Sequence, residues 1–307
     1  MTRRTAVVPL VLIAILLAVS PAYAAAPDPA DDPTHVSLPD LQPRVGAAGG
    51  DLGRPYADGC HVAYDVTSPT HCPYGDRQGT KIVVVVGDSI AAQWWASIHG
   101  AGRKGGWRVV WMSKTSCPAA DVTVLSRGSA YTACNTWRRN VLAKVRNLSR
   151  VDLLVMSGSS EPTLLSRTDG SPITDPSLRA AEWQAGYQRT VDAVAGQVRR
   201  VVILRDTPTF TFRVPDCLKA HSGWTKPCSR LRTYALSASY WRAEQAVDAR
   251  YAWVRATDMA NWICQTTRCW PVTSDRILRY RDGHHLTNTF ARALAPAMYS
   301  RLRWLML

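Results

Sequence analysis

Three residues, far apart in the chain, have the types and settings for nucleophilic catalysis. Ser89 ends the segment "KIVVVVGDS", where an apolar run from Ile82 to Val86 stops at Gly87-Asp88-Ser89. Asp282 stands three residues before His285 in "YRDGHHL". A serine hydroxyl is a weak nucleophile until an imidazole takes its proton, and a carboxylate on the far ring nitrogen orients that imidazole. Asp-x-x-His lets one turn supply base and orienter together. This spacing selects His285 over its neighbour His284, which stays a second candidate base. Both motifs also read as simple structure: Asp and Ser are good helix N-caps, Gly permits a tight strand-to-helix turn, and Asp282 can cap a turn.

The elements that must position these residues alternate from Lys81 onward. Short apolar runs rich in Val predict strands over 82–86, 107–112, 151–156, 201–204 and 252–256. Helical spacing predicts helices over 90–103, 134–148, 178–198, 233–249 and 286–305. Strands alternating with helices imply an α/β fold with a mostly parallel five-stranded sheet covered on both faces. Right-handed crossovers then put the C-terminal ends of the strands at one edge, where open α/β sheets bind ligands. Gly87-Asp88-Ser89 falls at that edge.

The ends and the composition point outside the cytoplasm. Residues 1–24 read as a cleaved signal peptide: Arg3 and Arg4 precede an apolar stretch from Ala6 to Val19, and Ala22-Tyr23-Ala24 fits the small-x-small cleavage rule. Residues 25–56, rich in Pro, Asp and Gly, predict a mobile or irregular lead-in, and residues 57–307 the catalytic domain. There are eight cysteines. In an exported chain an even count suggests disulfides, though eight allow 105 pairings. They fall as close couples, which favours Cys60–Cys72, Cys117–Cys134, Cys217–Cys228 and Cys264–Cys269. No Cys-x-x-Cys supports a metal site, and His61, His71, His99 and His221 are isolated and read as surface or packing residues. No glycine-rich nucleotide motif follows the first strand, so no cofactor is expected. The formal charge is +14, two fewer without Arg3 and Arg4. Outside the cytoplasm such a surface meets acidic wall polymers or anionic headgroups rather than nucleic acid, or serves only solubility. A monomer is expected.

"GDSIAAQWW" near the start and "DGHHL" near the end resemble the SGNH/GDSL hydrolase superfamily. More narrowly, the chain resembles the SGNH domains fused to membrane acyltransferases of acyltransferase family 3. "YADGC", "CPYGD", "KTSCP", "CNTW", "RDTP", "PDCL" and "CQTTRC" follow in the order of that subgroup, over roughly residues 55–305. The resemblance implies a three-layer, flavodoxin-like sandwich with Ser89 as nucleophile, His285 as general base and Asp282 as orienter. It also exposes a departure. The wider superfamily completes its oxyanion hole with a Gly and an Asn, but Gly158-Ser159-Ser160 has Ser in the Asn position, and Ser116 in "KTSCP" stands in the second block. The expected donors are therefore Ser89, Ser116, Ser159 and Ser160, by backbone or side chain.

Two reactions share such a triad. The resemblance favours O-acyl transfer onto a cell-wall or surface glycan through an acyl-serine, with a separate membrane protein delivering the acyl group. Attack by water instead gives a carbohydrate O-acetylesterase. A different class, a non-catalytic glycan-binding module, would use Trp94, Trp95, Trp111, Trp224, Trp262 or Trp270 to stack on sugars, although Trp more often packs a core.

Overall fold

The computed structural model describes residues 32–307, so the signal peptide lies outside the described residues. The five expected strands all form. Two short strands at one edge, His61–Val62 (β1) and Cys72–Gly75 (β2), are followed by Lys81–Gly87 (β3), Trp107–Lys114 (β4), Leu153–Ser157 (β5), Val201–Leu204 (β6) and Val254–Thr257 (β7). The spatial order is β4-β3-β5-β6-β7, all parallel. This is the flavodoxin-like order, with its switch point at β3. The sheet is wider than the apolar runs predict. β2 pairs antiparallel with the first half of β4, and β1 pairs parallel with its end, giving seven strands. These additions lie in a Cys-rich stretch too short and polar to show a strand period.

Strand alternation divides the core into two layers. Val83, Val85, Val109 and Val155 face one side, where Trp94 and Ile98 pack with Phe290, Leu294 and Met298 from the C-terminal helices. Val84, Val86, Val110 and Met156 face the other, against Trp137, Val141, Trp183, Tyr187 and Val247. The second layer is built by helices Thr132–Arg146, Pro176–Ala193 and Ala238–Arg250.

Three expected helices are interrupted, the one expected over 233–249 at Leu236 and Ser237, between Arg232–Ala235 and Ala238–Arg250. The first breaks at Trp94, giving Ser89–Gln93 (α1) and Trp95–Gly105 (α2). The last breaks at Leu294, giving Asn288–Ala293 and Ala295–Leu302, because Pro296 lacks an N–H and disfavours helical backbone before it. Residues 32–56 carry only short helical turns, at Leu38–Asp40, Val45–Gly50 and Arg54–Ala57, and pack against the domain. Leu41, Val45 and Ala48 are buried in the core, and Asp32 makes a fully buried ion pair with Arg279 at 2.6 Å. Paired charges and scattered apolar residues fasten this strap without any helical or strand period to announce it.

The four disulfides are the expected neighbour couples, Cys60–Cys72, Cys117–Cys134, Cys217–Cys228 and Cys264–Cys269. Among the described residues no helix is long and apolar enough to cross a membrane.

Candidate active site

The site is built at the C-terminal end of β3. In the sheet register Gly87 lies between Ser113 of β4 and Ser157 of β5. A Cβ on Gly87 would meet the Ser157 carbonyl at 2.0 Å, so only glycine lets β3 turn here. Asp88 then caps α1. Its Oδ1 accepts the Ile90 N–H at 2.8 Å, while its Oδ2 accepts the Ser159 N–H at 2.8 Å and ties the turn to the end of β5. Asp88 is fully buried. Burial pushes its carboxyl up to about 6, with the two N–H donors opposing and Asp206 adding to the rise. The cap and the candidate nucleophile are thus successive residues of one turn, and Ser89 opens the helix with its side chain partly exposed.

Ser89 Oγ–H donates to His285 Nε2 at 2.8 Å, and His285 Nδ1–H donates to Asp282 Oδ2 at 2.9 Å. Asp282 Oδ1 accepts the backbone N–H groups of His284 and His285 at 2.8 and 2.7 Å. Burial works to raise the Asp282 carboxyl, but the hydrogen bonds and charge of His285 and the two N–H groups hold it well below the usual carboxylate range. The three residues singled out by type and spacing therefore meet in one chain of hydrogen bonds, although nearly the whole domain separates Ser89 from His285.

His284 points elsewhere. Its Nε2 lies 2.8 Å from Asp206 Oδ1 and its Nδ1 3.1 Å from Glu161 Oε2. Burial alone would lower this imidazole, but the two carboxylates push it up to about 10. At neutral pH it is a fixed imidazolium with no free lone pair, so it is not a base. Asp206 comes from "RDTP" after β6 and also accepts Ser160 N–H and Oγ–H, both at 2.8 Å. Burial opposes ionisation of Asp206, and the His284 charge with these donors overcomes it. A second set of bonds holds the histidine turn. Gln93 of α1 accepts the Leu286 N–H at 2.6 Å and donates to Thr207 Oγ1 at 3.0 Å, which donates to the His284 carbonyl at 3.0 Å.

The four expected oxyanion donors divide. The amides of Ser159 and Ser160 are already committed, to Asp88 and Asp206. Ser89 N–H is at the first helical position, where no intrahelical partner exists. Ser116 is exposed, with φ 52°, in a loop fastened to the following helix by Cys117–Cys134.

Sequence reasoning missed His61. It lies on β1, 3.1 Å from Ser113 Oγ and 3.3 Å from Thr115 Oγ1, with its ring 4.5 Å from that of Tyr56. Tyr56 Oη accepts from Arg281 Nη2 at 3.3 Å, beside Asp282. Burial, with the charges of Arg281, His285 and Lys114, lowers His61 to about 4, so it is a neutral group at the edge of the site. Nothing in its local sequence signals this; only β1 pairing with β4 brings it there. Of the tryptophans considered for sugar stacking, Trp94 and Trp111 are wholly buried in the core, and Trp224 is exposed but edge-on to His35 at 4.8 Å. Cys217 and Cys228, near His221, are joined to each other and do not form a thiolate metal site.

With this geometry in hand, the family assignment is direct. The model of the SGNH domain fused to AT3 domains matches residues 59–300. The chain belongs to the SGNH hydrolase family. The chain is also similar to solved structures of low identity. The periplasmic domain of a lipopolysaccharide acetyltransferase from Salmonella ser. Paratyphi A is 13% identical, with a TM-score of 0.54 over 81% of this chain and 87% of that one. A putative acylhydrolase from Bacteroides fragilis is 13% identical, with a TM-score of 0.41 over 76% and 91%. An acetylxylan esterase from Geobacillus stearothermophilus is 14% identical, with a TM-score of 0.40 over 75% and 96%. No curated protein matches this SGNH chain. The SGNH superfamily comprises ester hydrolases and acyltransferases, and this chain is a member of it.

Proposed function

We propose that the protein cleaves O-acyl esters through an acyl-Ser89 intermediate and that its substrate is an acylated carbohydrate. The observation that carries the reading is the continuous chain Ser89 Oγ, His285 Nε2, His285 Nδ1, Asp282 Oδ2, with links of 2.8 and 2.9 Å. Ser89 Oγ attacks the ester carbonyl while His285 Nε2 takes its proton. The tetrahedral oxyanion collapses, the C–O bond to the sugar breaks, and His285 returns the proton to the leaving hydroxyl. Asp282 stays ionised and stabilises the imidazolium. The amides of Ser89 and Ser116 serve the oxyanion, helped by the positive end of α1. Water, deprotonated by the same His285, then releases the acid and restores Ser89.

Hydrolysis requires only water beyond the residues present. Transfer to a glycan hydroxyl is the second reading, favoured by the match to domains fused to membrane acyltransferases. It replaces water with a sugar hydroxyl and requires an acyl donor. An extracytoplasmic location fits both readings and is supported by the four disulfides and the signal-like residues 1–24.

The test is acetate release from 4-nitrophenyl acetate with and without glycan acceptors. Release in water at a rate no acceptor changes supports hydrolysis, and acetylated acceptor with suppressed acetate supports transfer. No turnover of the aryl ester and no acyl-enzyme would overturn both.

A further inference from the structure

A cavity of about 310 Å³ begins where the His284 cluster ends. Asp206 and Glu161, which grip His284, are among its lining residues, and the His284 and His285 rings are 5.5 Å apart. The cavity is therefore one side chain removed from the base that serves Ser89. Two of its lining side chains carry buried polar atoms that bond to no described residue. Glu244 and Tyr240 line it, are 2% and 7% exposed, and leave Glu244 Oε2 and Tyr240 Oη buried without a partner among the described residues. Glu244 Oε1 accepts from Trp183 Nε1 at 3.1 Å. Burial pushes the Glu244 carboxyl up to about 8, against the Trp183 bond and with Asp206 adding to the rise, so at neutral pH Glu244 is mostly the acid with an O–H to give.

Aromatic rings stand above this polar floor. Tyr234 is 69% exposed, and Trp241 carries the Arg205 guanidinium 5.1 Å from its ring centre. Arg205 is in turn paired with Asp258 at 2.7 Å. An acyl chain would leave the floor oxygens unpaired, at the cost of buried unsatisfied polar groups. An anionic ring would meet the carboxylates of Glu161 and Asp206. A neutral sugar satisfies both levels, with hydroxyls for the floor and C–H faces for the aromatic rings. The volume is at the lower end of the range for small-ligand sites, about 300–1,000 Å³, and so suits one ring. A larger open hollow lined by Asp121, Asn135 and Arg167 has no buried unpartnered side-chain atom in its lining.

We propose that this cavity is a carbohydrate subsite that holds one neutral sugar ring of the acylated glycan beside the ester at Ser89. The proposal rests on the ester-cleaving reading above and adds the residues that recognise the sugar. Its test separates the two. Ser89→Ala protein is titrated calorimetrically with O-acetylated xylotetraose, mannotetraose and chitotetraose, and the titrations are repeated after adding Trp241→Ala or Tyr234→Ala. At least one saccharide binds saturably, and each added substitution weakens it about tenfold. In the otherwise native protein, both substitutions leave 4-nitrophenyl acetate turnover within about twofold. No saturable binding of any of the three, or binding that neither substitution changes, overturns the subsite. An equal fall in aryl-acetate turnover also overturns it, because the effect would then act through the triad. Intact sugar binding by a protein with no esterase activity would support the subsite and sink the ester chemistry instead.

Discussion

Two histidines adjacent in the chain are put to opposite uses. His285 has one carboxylate on one ring nitrogen and a serine hydroxyl on the other. His284 has a carboxylate on each, that of Asp206 largely buried, and is held as a cation up to about 10. The residue type and local sequence are nearly the same, yet one ring is arranged to exchange a proton and the other to keep it. The partners decide the difference: a base needs a lone pair aimed at something that can lose a proton, whereas two acids convert an imidazole into a fixed charge that ties loops together. The loops tied are those after β5 and β6, through Glu161, Ser160 and Asp206, and in the proposed reaction His284 would position the turn that carries His285.

The largest effect expected from this contrast is at the His285 side. Ser89→Ala or His285→Ala lowers kcat for an aryl acetate by about 10⁴-fold or more, with thermal unfolding unchanged, as steady-state kinetics and calorimetry would record. Asp282→Asn comes next, at about 10³–10⁴-fold in kcat, because the amide offers the wrong partner to Nδ1–H. His284→Gln should reverse the pattern. Turnover falls only about ten- to a hundredfold, through misplacement of His285, while chemical denaturation shows a loss of about 3–5 kcal/mol from leaving Asp206 and Glu161 unpaired.

His284 also predicts a pH window. Its folded value, about 10, lies above the ordinary 6.5. Its stabilisation is therefore complete below about 6.5 and is lost as pH rises through about 10. Wild-type stability should decline across that alkaline interval, and His284→Gln should flatten the decline in a pH series of melting curves. The smallest effect belongs to Glu161→Gln. Glu161 is half-exposed, and removing its charge costs at most about 1 kcal/mol. It moves the alkaline decline to lower pH and leaves turnover near wild type. A Glu161→Gln loss as large as that of His284→Gln would break the picture of Asp206 as the principal partner.

The layered core was legible because its strands are apolar runs buried on both faces, and a run such as Ile82 to Val86 has few other homes. The Ser89, Asp282 and His285 constellation was legible from spacing and order along the chain. The use of His284 was not, since Asp206 and Glu161 come from other loops and only the sheet brings them to its ring. The same holds for His61, delivered by a two-residue strand. Ser159 and Ser160 looked like oxyanion donors in sequence, but their amides are consumed by Asp88 and Asp206, a competition between acceptors that no local pattern records. Trp241, on the rim of the proposed sugar cavity, drew no notice within a helical stretch, whereas Trp94 and Trp111 proved to be core.

The most direct test of the central claim is covalent. A serine-reactive fluorophosphonate is incubated with wild-type, His285→Ala and His284→Gln proteins, and the adducts are mapped by peptide mass spectrometry. The account predicts a single adduct on Ser89 in the wild type, its loss in His285→Ala and its retention in His284→Gln. Labelling at another residue, or equal loss in both histidine variants, would contradict it.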